Sequence, residues 1–143
     1  MAATLRIAGE ADATSVARLV AACHEETGVQ PDPARRDDAI AALLDGGMPG
    51  ALYLIGPPSS PVGYLAISFG HAPATGTTAR LEEIYVRPPV RGRGMGTESI
   101  QALSKMLSQN GIEILSATVP ESESGFFPRL RFQPYGPDMR RAL

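Results

Sequence analysis

Cysteine is almost absent from this 143-residue chain. Cys23 stands alone, which excludes an internal disulfide framework and any zinc site built from several thiolates. The two histidines, His24 and His71, belong to no His-Glu-x-x-His run, so no metal centre is expected. A dominant charge is lacking too: 13 Lys+Arg against 15 Asp+Glu leaves a formal net charge of −2, which argues against a generally basic nucleic-acid binder. Residues 46–79 contain no Asp, Glu, Lys or Arg. Even so, Pro49, Pro57, Pro58, Pro61 and Pro73, with interspersed glycines, break every apolar stretch well short of the ~20 residues a membrane span needs. Two buried strands joined by a proline-rich turn account for that region. The start, Met1 to Arg6, has no apolar segment behind a basic one, so the expectation is a cytoplasmic protein without membrane or nucleic-acid partners.

What is present is globular: 43% hydrophobic and 20% charged residues argue against disorder, and the length predicts one domain over residues 1–143. Thr4 to Ala8 alternates like a short strand. Asp12 can cap a helix whose one face carries Val16, Leu19, Val20 and Cys23, which makes Cys23 a core thiol, and Gly28 stops it. His24, Glu25 and Glu26 close that helix and read as a solvated helix end, with attraction of a cationic amine as the alternative. Asp32-Pro33 opens a second helix with Ile40, Leu43 and Leu44 inward, ended by Gly46-Gly47. Ala51 to Ile55 and Val62 to Phe69 form a hairpin. A loop over 70–78, holding His71, leads to a third strand from Ala79 to Val86. A helix from about Gly94 to Gln109 buries Ile100, Leu103, Met106 and Leu107 and ends at Asn110-Gly111. A strand over Ile112 to Val119, a short helix over Ser122 to Leu130 and a last strand from Phe132 complete a mixed α/β sheet.

The informative stretch is Leu81-Glu82-Glu83-Ile84-Tyr85-Val86-Arg87-Pro88-Pro89-Val90-Arg91-Gly92-Arg93-Gly94-Met95-Gly96. A strand feeds a loop with three alternate glycines, and a helix starts on the last. Such a loop aims unpaired backbone N–H groups at one point, at the positive end of the helix dipole, and its ligand is a phosphate or pyrophosphate. A P-loop would need Gly-Lys-Ser/Thr where Gly96-Thr97-Glu98 stands. A dinucleotide-binding turn would bring the strand almost directly into its glycines, whereas Arg87 to Arg91 intervene. An RNA-binding Arg-Gly segment would repeat.

Arg91-x-x-Gly94-x-Gly96, preceded by Leu-Glu-Glu-Ile-Tyr-Val, resembles the acetyl-CoA pyrophosphate loop of the GNAT superfamily of N-acetyltransferases, and the element order from residue 4 to about 135 is similar. The resemblance implies a mostly antiparallel sheet flanked by helices, with strands splayed at an acyl-CoA cleft. Val62-Gly63-Tyr64 with Leu81 to Pro88 looks most like the diamine and polyamine acetyltransferases. By the same resemblance Ile84, Tyr85 and Val86 line the acetyl and pantetheine arm, and Gly92, Arg93, Gly94, Met95, Gly96 and Thr97 wrap the pyrophosphate. Arg87, Arg91 and Arg93 hold its phosphates. The implied acyl donor is acetyl-CoA and the implied acceptor a small-molecule or protein amine; a homodimer is compatible with it.

An amine with a lysine-like pKa near ~10.4 arrives protonated and needs a base. Glu82 and Glu83 are adjacent on a strand and are expected to point to opposite faces, so at most one meets the substrate. The resemblance selects Glu82, with Glu83 second. Where similar proteins carry a tyrosine that protonates the leaving thiolate, this chain has Phe127, and Arg131 stands at a glycine position. Phe126 and Phe127 are expected to pack against the pantetheine arm; Ser124, Tyr135 or water are the remaining donors. Phe127 and Arg131 favour an alternative, an acyl-CoA-binding sensor with little transfer. Glu82 and the glycine loop favour the enzyme.

Overall fold

The computed structural model describes residues 4–47, 49–118, 126–134 and 139–142. It is a mixed α/β fold around a five-stranded sheet in the order β1-β2-β3-β4-β5. The strands are β1 (Leu5–Ile7), β2 (Gly50–Ile55), β3 (Gly63–Ala72), β4 (Gly76–Val86) and β5 (Leu115–Ala117). The first four pair antiparallel, and β5 joins β4 in parallel. Helices α1 (Ala13–Thr27) and α2 (Pro33–Asp45) cover one face, where Val16, Leu19, Val20 and Leu44 meet Leu52, Leu54, Tyr64 and Ala66. Helices α3 (Met95–Gln109) and α4 (Phe126–Arg129) cover the other, where Ile100, Leu103, Leu107 and Phe127 meet Ala51, Ile55, Leu65, Ile67, Ala79 and Leu81. Among the described residues, no helix is long and apolar enough to cross a membrane.

The helix signals act as read, with one exception. Asp32 accepts from the Arg35 N–H at 3.0 Å with Pro33 in the first turn, and α1 and α2 stop at Gly28 and Gly46. Asp12 does not cap α1. A 3-10 turn over Glu10–Asp12 precedes the helix, and the Asp12 carboxylate turns back to the Gly9 N–H at 2.9 Å and to Arg6 at 2.9 and 3.0 Å. The guanidinium of Arg6 holds the Asp12 carboxyl below its ordinary range.

The expected loop at 70–78 is mostly strand. Gly70, His71 and Ala72 pair with Thr78, Thr77 and Gly76, and only residues 73–75 turn, closed by the Thr75 N–H on the Ala72 carbonyl at 3.1 Å. The ladder needs backbone groups rather than apolar side chains, so this exposed end of the hairpin carries no hydrophobic alternation. Beside it, β5 covers only part of the expected Ile112 to Val119, and Val119 lies outside the described residues. Residues 132–134 form no strand, and the remainder of that expected strand at 135–138 is outside the described residues, as is the start of the expected helix at Ser122.

Two local features position the cleft. Gly63 sits where β3 meets β4, and a Cβ there would lie 2.1 Å from the Tyr85 carbonyl oxygen, so any side chain would push the strands apart. The other is a bulge in β4. Ala66 pairs with Glu83 but Ile67 with Leu81, leaving Glu82 as the extra residue. Alternation therefore changes phase. Ala79 and Leu81 face α3, and past the bulge Ile84 and Val86 do so again, while Tyr85 faces α1.

Helix α4 closes with a Schellman motif. The Phe132 N–H reaches the Phe127 carbonyl at 3.1 Å and the Arg131 N–H reaches Pro128 at 3.0 Å. The Phe127 and Phe132 rings meet edge to face at 5.2 Å, and Arg131 takes a left-handed φ of 69°. This is the glycine position noted in the sequence, held here by a residue with a Cβ. Arg131→Gly is expected to stabilise the protein by about 1 kcal/mol by relieving the left-handed cost. Urea denaturation midpoints measure it.

Candidate active site

Where β4 and β5 part, a cleft of about 980 Å³ opens between α1 and the start of α3. β5 pairs with β4 only at Ala79, Arg80 and Leu81. Beyond that the ladder phase is set by the Arg87 N–H, which bonds the Val62 carbonyl at 2.8 Å. Residues 85 and 87 therefore direct their backbone groups at β3, and those of Ile84 and Val86 face the opened edge. The sheet itself thus leaves polar backbone directed into the cleft.

The glycine loop forms the wall at the head of α3. Gly92 and Gly94 are left-handed at φ 81° and 78°, and a Cβ on either would meet nothing within 4 Å. Gly94 occupies the N-cap without a side-chain cap, and the first helical bond runs from the Glu98 N–H to the Gly94 carbonyl at 2.9 Å. The N–H groups of Met95, Gly96 and Thr97 precede that bond and point out of the helix end. Open space before three outward donors at the positive end of a 15-residue helix suits a pyrophosphate. Of the residues that the sequence singled out for the acyl donor, Ile84, Tyr85, Val86, Arg91, Gly92, Gly94, Met95, Gly96, Thr97, Phe126 and Phe127 all line the cleft, and Arg87 and Arg93 do not.

Arg91 has structural work of its own. Its Nε donates to the Val86 carbonyl at 2.7 Å, its Nη2 lies 2.5 Å from Glu26 Oε2, and its guanidinium stacks 5.6 Å from the Tyr85 ring centroid. It ties the loop to the end of α1, and it holds the Glu26 carboxyl below its ordinary range.

The two glutamates are not on opposite faces. The bulge turns both toward α1 and α2, and both line the cleft. Glu82 is the more exposed; its Oε2 accepts from Ser68 at 3.0 Å and its Oε1 lies 3.3 Å from Arg80 Nε. Glu83 is held from both sides: Oε1 accepts from the Tyr64 hydroxyl at 2.7 Å, and Oε2 lies 2.8 Å from His24 Nε2. A carboxylate offers only lone pairs, so the fitting tautomer is Nε2–H. His24 is thus no solvated helix end; it is 7% exposed and bound across to the sheet. His24 and Tyr64 are the residues that sequence reasoning missed. Tyr64 stands in the Val62-Gly63-Tyr64 run and His24 in the helix-end cluster, but neither stretch indicates that its residue holds a carboxylate on another strand.

Phe127 is 3% exposed, its ring edge-on to Phe126 and Phe132 at 5.1 and 5.2 Å, so this position serves packing. Ser124 and Tyr135, the other donors considered, lie outside the described residues. Cys23 lies on the cleft wall, where burial pushes its thiol up. His71 is remote, exposed and bonded to Thr77. A second cavity, of about 510 Å³, lies between α2 and the sheet and shares His24, Glu82 and Glu83 with the cleft.

The model of the acetyltransferase (GNAT) family matches residues 14–125. No curated protein sequence matches the chain. Among solved structures, an integron cassette protein from the mobile metagenome of Cole Harbour Salt Marsh is 25% identical, with a TM-score of 0.80 over 97% of this chain and 89% of its own. A possible acetyltransferase from Clostridium difficile 630 has a TM-score of 0.85 at 14% identity, over 100% and 98% of the two chains. A predicted acetyltransferase from Clostridium acetobutylicum, solved with acetyl-CoA, has a TM-score of 0.82 at 15% identity, over 98% and 96%.

Burial, with Cys23 and Glu83 adding to it, pushes the Tyr64 phenol far above its ordinary value near 10. The unfolded chain can ionise this group near pH 10 and the fold cannot. Its contribution is therefore complete below that pH and declines as pH rises above it. Tyr64→Phe is expected to cost about 1–2 kcal/mol at neutral pH, since Glu83 keeps some access to water, and to flatten the alkaline limb. Denaturation at pH 7 and 10.5 checks both.

Proposed function

This chain belongs to the acetyltransferase (GNAT) family, and on that premise we propose that it moves an acetyl group from acetyl-CoA to a primary amine by direct attack on the thioester. The acceptor is a small molecule in the first instance, a protein amine being the variant. The observation that carries this reading is the β4 bulge, which brings Glu82 and Glu83 to one face where β4 leaves β5.

The chain's residues divide the work by position. The N–H groups of Met95, Gly96 and Thr97 hold the pyrophosphate, and Gly92 and Gly94 let it approach the backbone. Bound acetyl-CoA supplies the activated thioester, and the Ile84 and Val86 backbone groups at the opened edge are the donors available to its carbonyl oxygen. Glu82, the more exposed carboxylate, binds the ammonium and takes its proton through a water; Glu83, fixed by Tyr64 and His24, sets the charge beside it. The nitrogen bonds the carbonyl carbon as the carbon–sulfur bond breaks; the electron pair leaves on sulfur, and the proton that nitrogen sheds on becoming an amide reaches that sulfur through water. A thiol with pKa near ~8.5 is a fair leaving group, so packing at Phe127 is compatible with turnover. The same phenylalanine is what favours the second reading, an acyl-CoA-binding module with little transfer.

Gly94→Val strains a backbone at φ 78° and fills the space before the helix end. It is expected to weaken acetyl-CoA binding by about tenfold or more, the equivalent of one charge-assisted hydrogen bond. Calorimetry on the folded variant decides.

Glu82→Gln is expected to lower kcat for amine acetylation by about 10²-fold at neutral pH, leave acetyl-CoA affinity intact, and recover at high pH where the amine is already neutral. Coenzyme A release across pH 7–10 measures it. Wild-type turnover in the variant at pH 7 removes Glu82 from this role. Acetyl-CoA binding with no turnover of any amine by the parent protein selects the sensor.

A further inference from the structure

Helix α2 is patterned to turn Ile40, Leu43 and Leu44 inward, yet only Leu44 is buried. Ile40 and Leu43 are half-buried: they pack on the edge of the core and leave part of their surface on the 510 Å³ cavity between α2 and the sheet. Val20, Leu52, Ala66 and Phe69 are among the other apolar residues that line it. The volume falls in the small-molecule range. Its anionic groups are Glu82 and Glu83, which it shares with the cleft. Its other titratable neighbours are His24 and Tyr64, both bound to Glu83, and Arg36 from the first turn of α2.

We propose that this cavity is the acceptor site and that it selects a primary amine bearing a single charge and an alkyl or aryl body. This rests on the acetyl-transfer reading. The ammonium is met by the two carboxylates at the junction with the cleft, which leaves its nitrogen facing the thioester, and the body enters the apolar cavity. A second ammonium on the body would lose water among Val20, Leu43 and Leu52 with no carboxylate to replace it, and Arg36 would repel it. Hydroxyl-rich bodies would lose hydrogen bonds there in the same way. The site therefore departs from the diamine and polyamine acceptors that the sequence likeness suggests.

The test uses the purified protein, the amines propylamine to hexylamine, phenethylamine, putrescine and spermidine, and two readouts: coenzyme A release, and calorimetric amine binding without acetyl-CoA. Along the alkyl series kcat/KM and affinity are expected to rise about two- to fourfold per methylene. Putrescine and spermidine are expected to fall at least about tenfold below hexylamine. Ala39→Phe, which places a ring in the cavity from the exposed side of α2, is expected to erase the chain-length gain, with thermal denaturation confirming its fold. A flat alkyl series, or putrescine or spermidine acetylated faster than hexylamine, overturns the proposal and leaves acetyl transfer standing. Chain-length-dependent amine binding with no coenzyme A release supports the cavity and overturns the transfer reading instead.

Discussion

Much of this molecule follows from one extra residue in one ladder. Ala66 pairs with Glu83 and Ile67 with Leu81, so Glu82 has no ladder partner of its own on β3. A strand alternates strictly, and a single inserted residue reverses every later side chain. Without the bulge, Glu83 would lie among Leu81 and Ile100 on the α3 face, where an unpaired carboxylate is costly. With it, both glutamates face α1 and α2, and Ile84 and Val86 return to the apolar side. The backbone follows the same phase: Ile84 and Val86 present their amide groups to the edge that β5 leaves after Leu81. Carboxylates and free backbone donors thus meet at one opening.

The opening is held by polar bonds between elements distant in sequence. Glu83 is fixed by Tyr64 on β3 and His24 on α1, and Arg91 binds the glycine loop to Glu26 at the end of α1. Helix α1 is the common anchor. Its apolar face packs on the sheet through Val16, Leu19 and Val20, and that packing carries His24 and Glu26 to where the carboxylate and the guanidinium wait. The exposed Arg91–Glu26 pair adds little to stability but fixes geometry, as expected of a surface ion pair. The Tyr64–Glu83 bond matters more, because the Tyr64 side chain is wholly buried and its hydroxyl needs a partner.

A purely structural explanation of the cleft is possible in part. Phe126, Phe127 and Phe132 form a packed aromatic cluster, and a glycine-rich turn can simply join a strand to a helix. That explanation leaves the uncapped end of α3 and the bulge without a purpose. A turn needs no helix end kept free of a capping side chain, and an antiparallel ladder is more regular without an inserted glutamate.

The sequence by itself determined whatever depends on neighbours along the chain. Asp32-Pro33 started α2, Gly28 and Gly46 ended helices, and the spacing of Ile100, Leu103 and Leu107 oriented α3, because capping and helical periodicity act within a few residues. The glycine loop at the head of α3 was legible for the same reason. Register was not. Whether Glu82 and Glu83 share a face depends on which residues of β3 they meet, and that match is made across the sheet. The turn of Asp12 back to Arg6, the burial of His24 against Glu83, and the cavity between α2 and the sheet likewise arise between segments far apart in sequence or looped back on themselves. Only the assembled tertiary structure decided them, because alternation tells that a side chain changes sides and cannot tell where the count restarts.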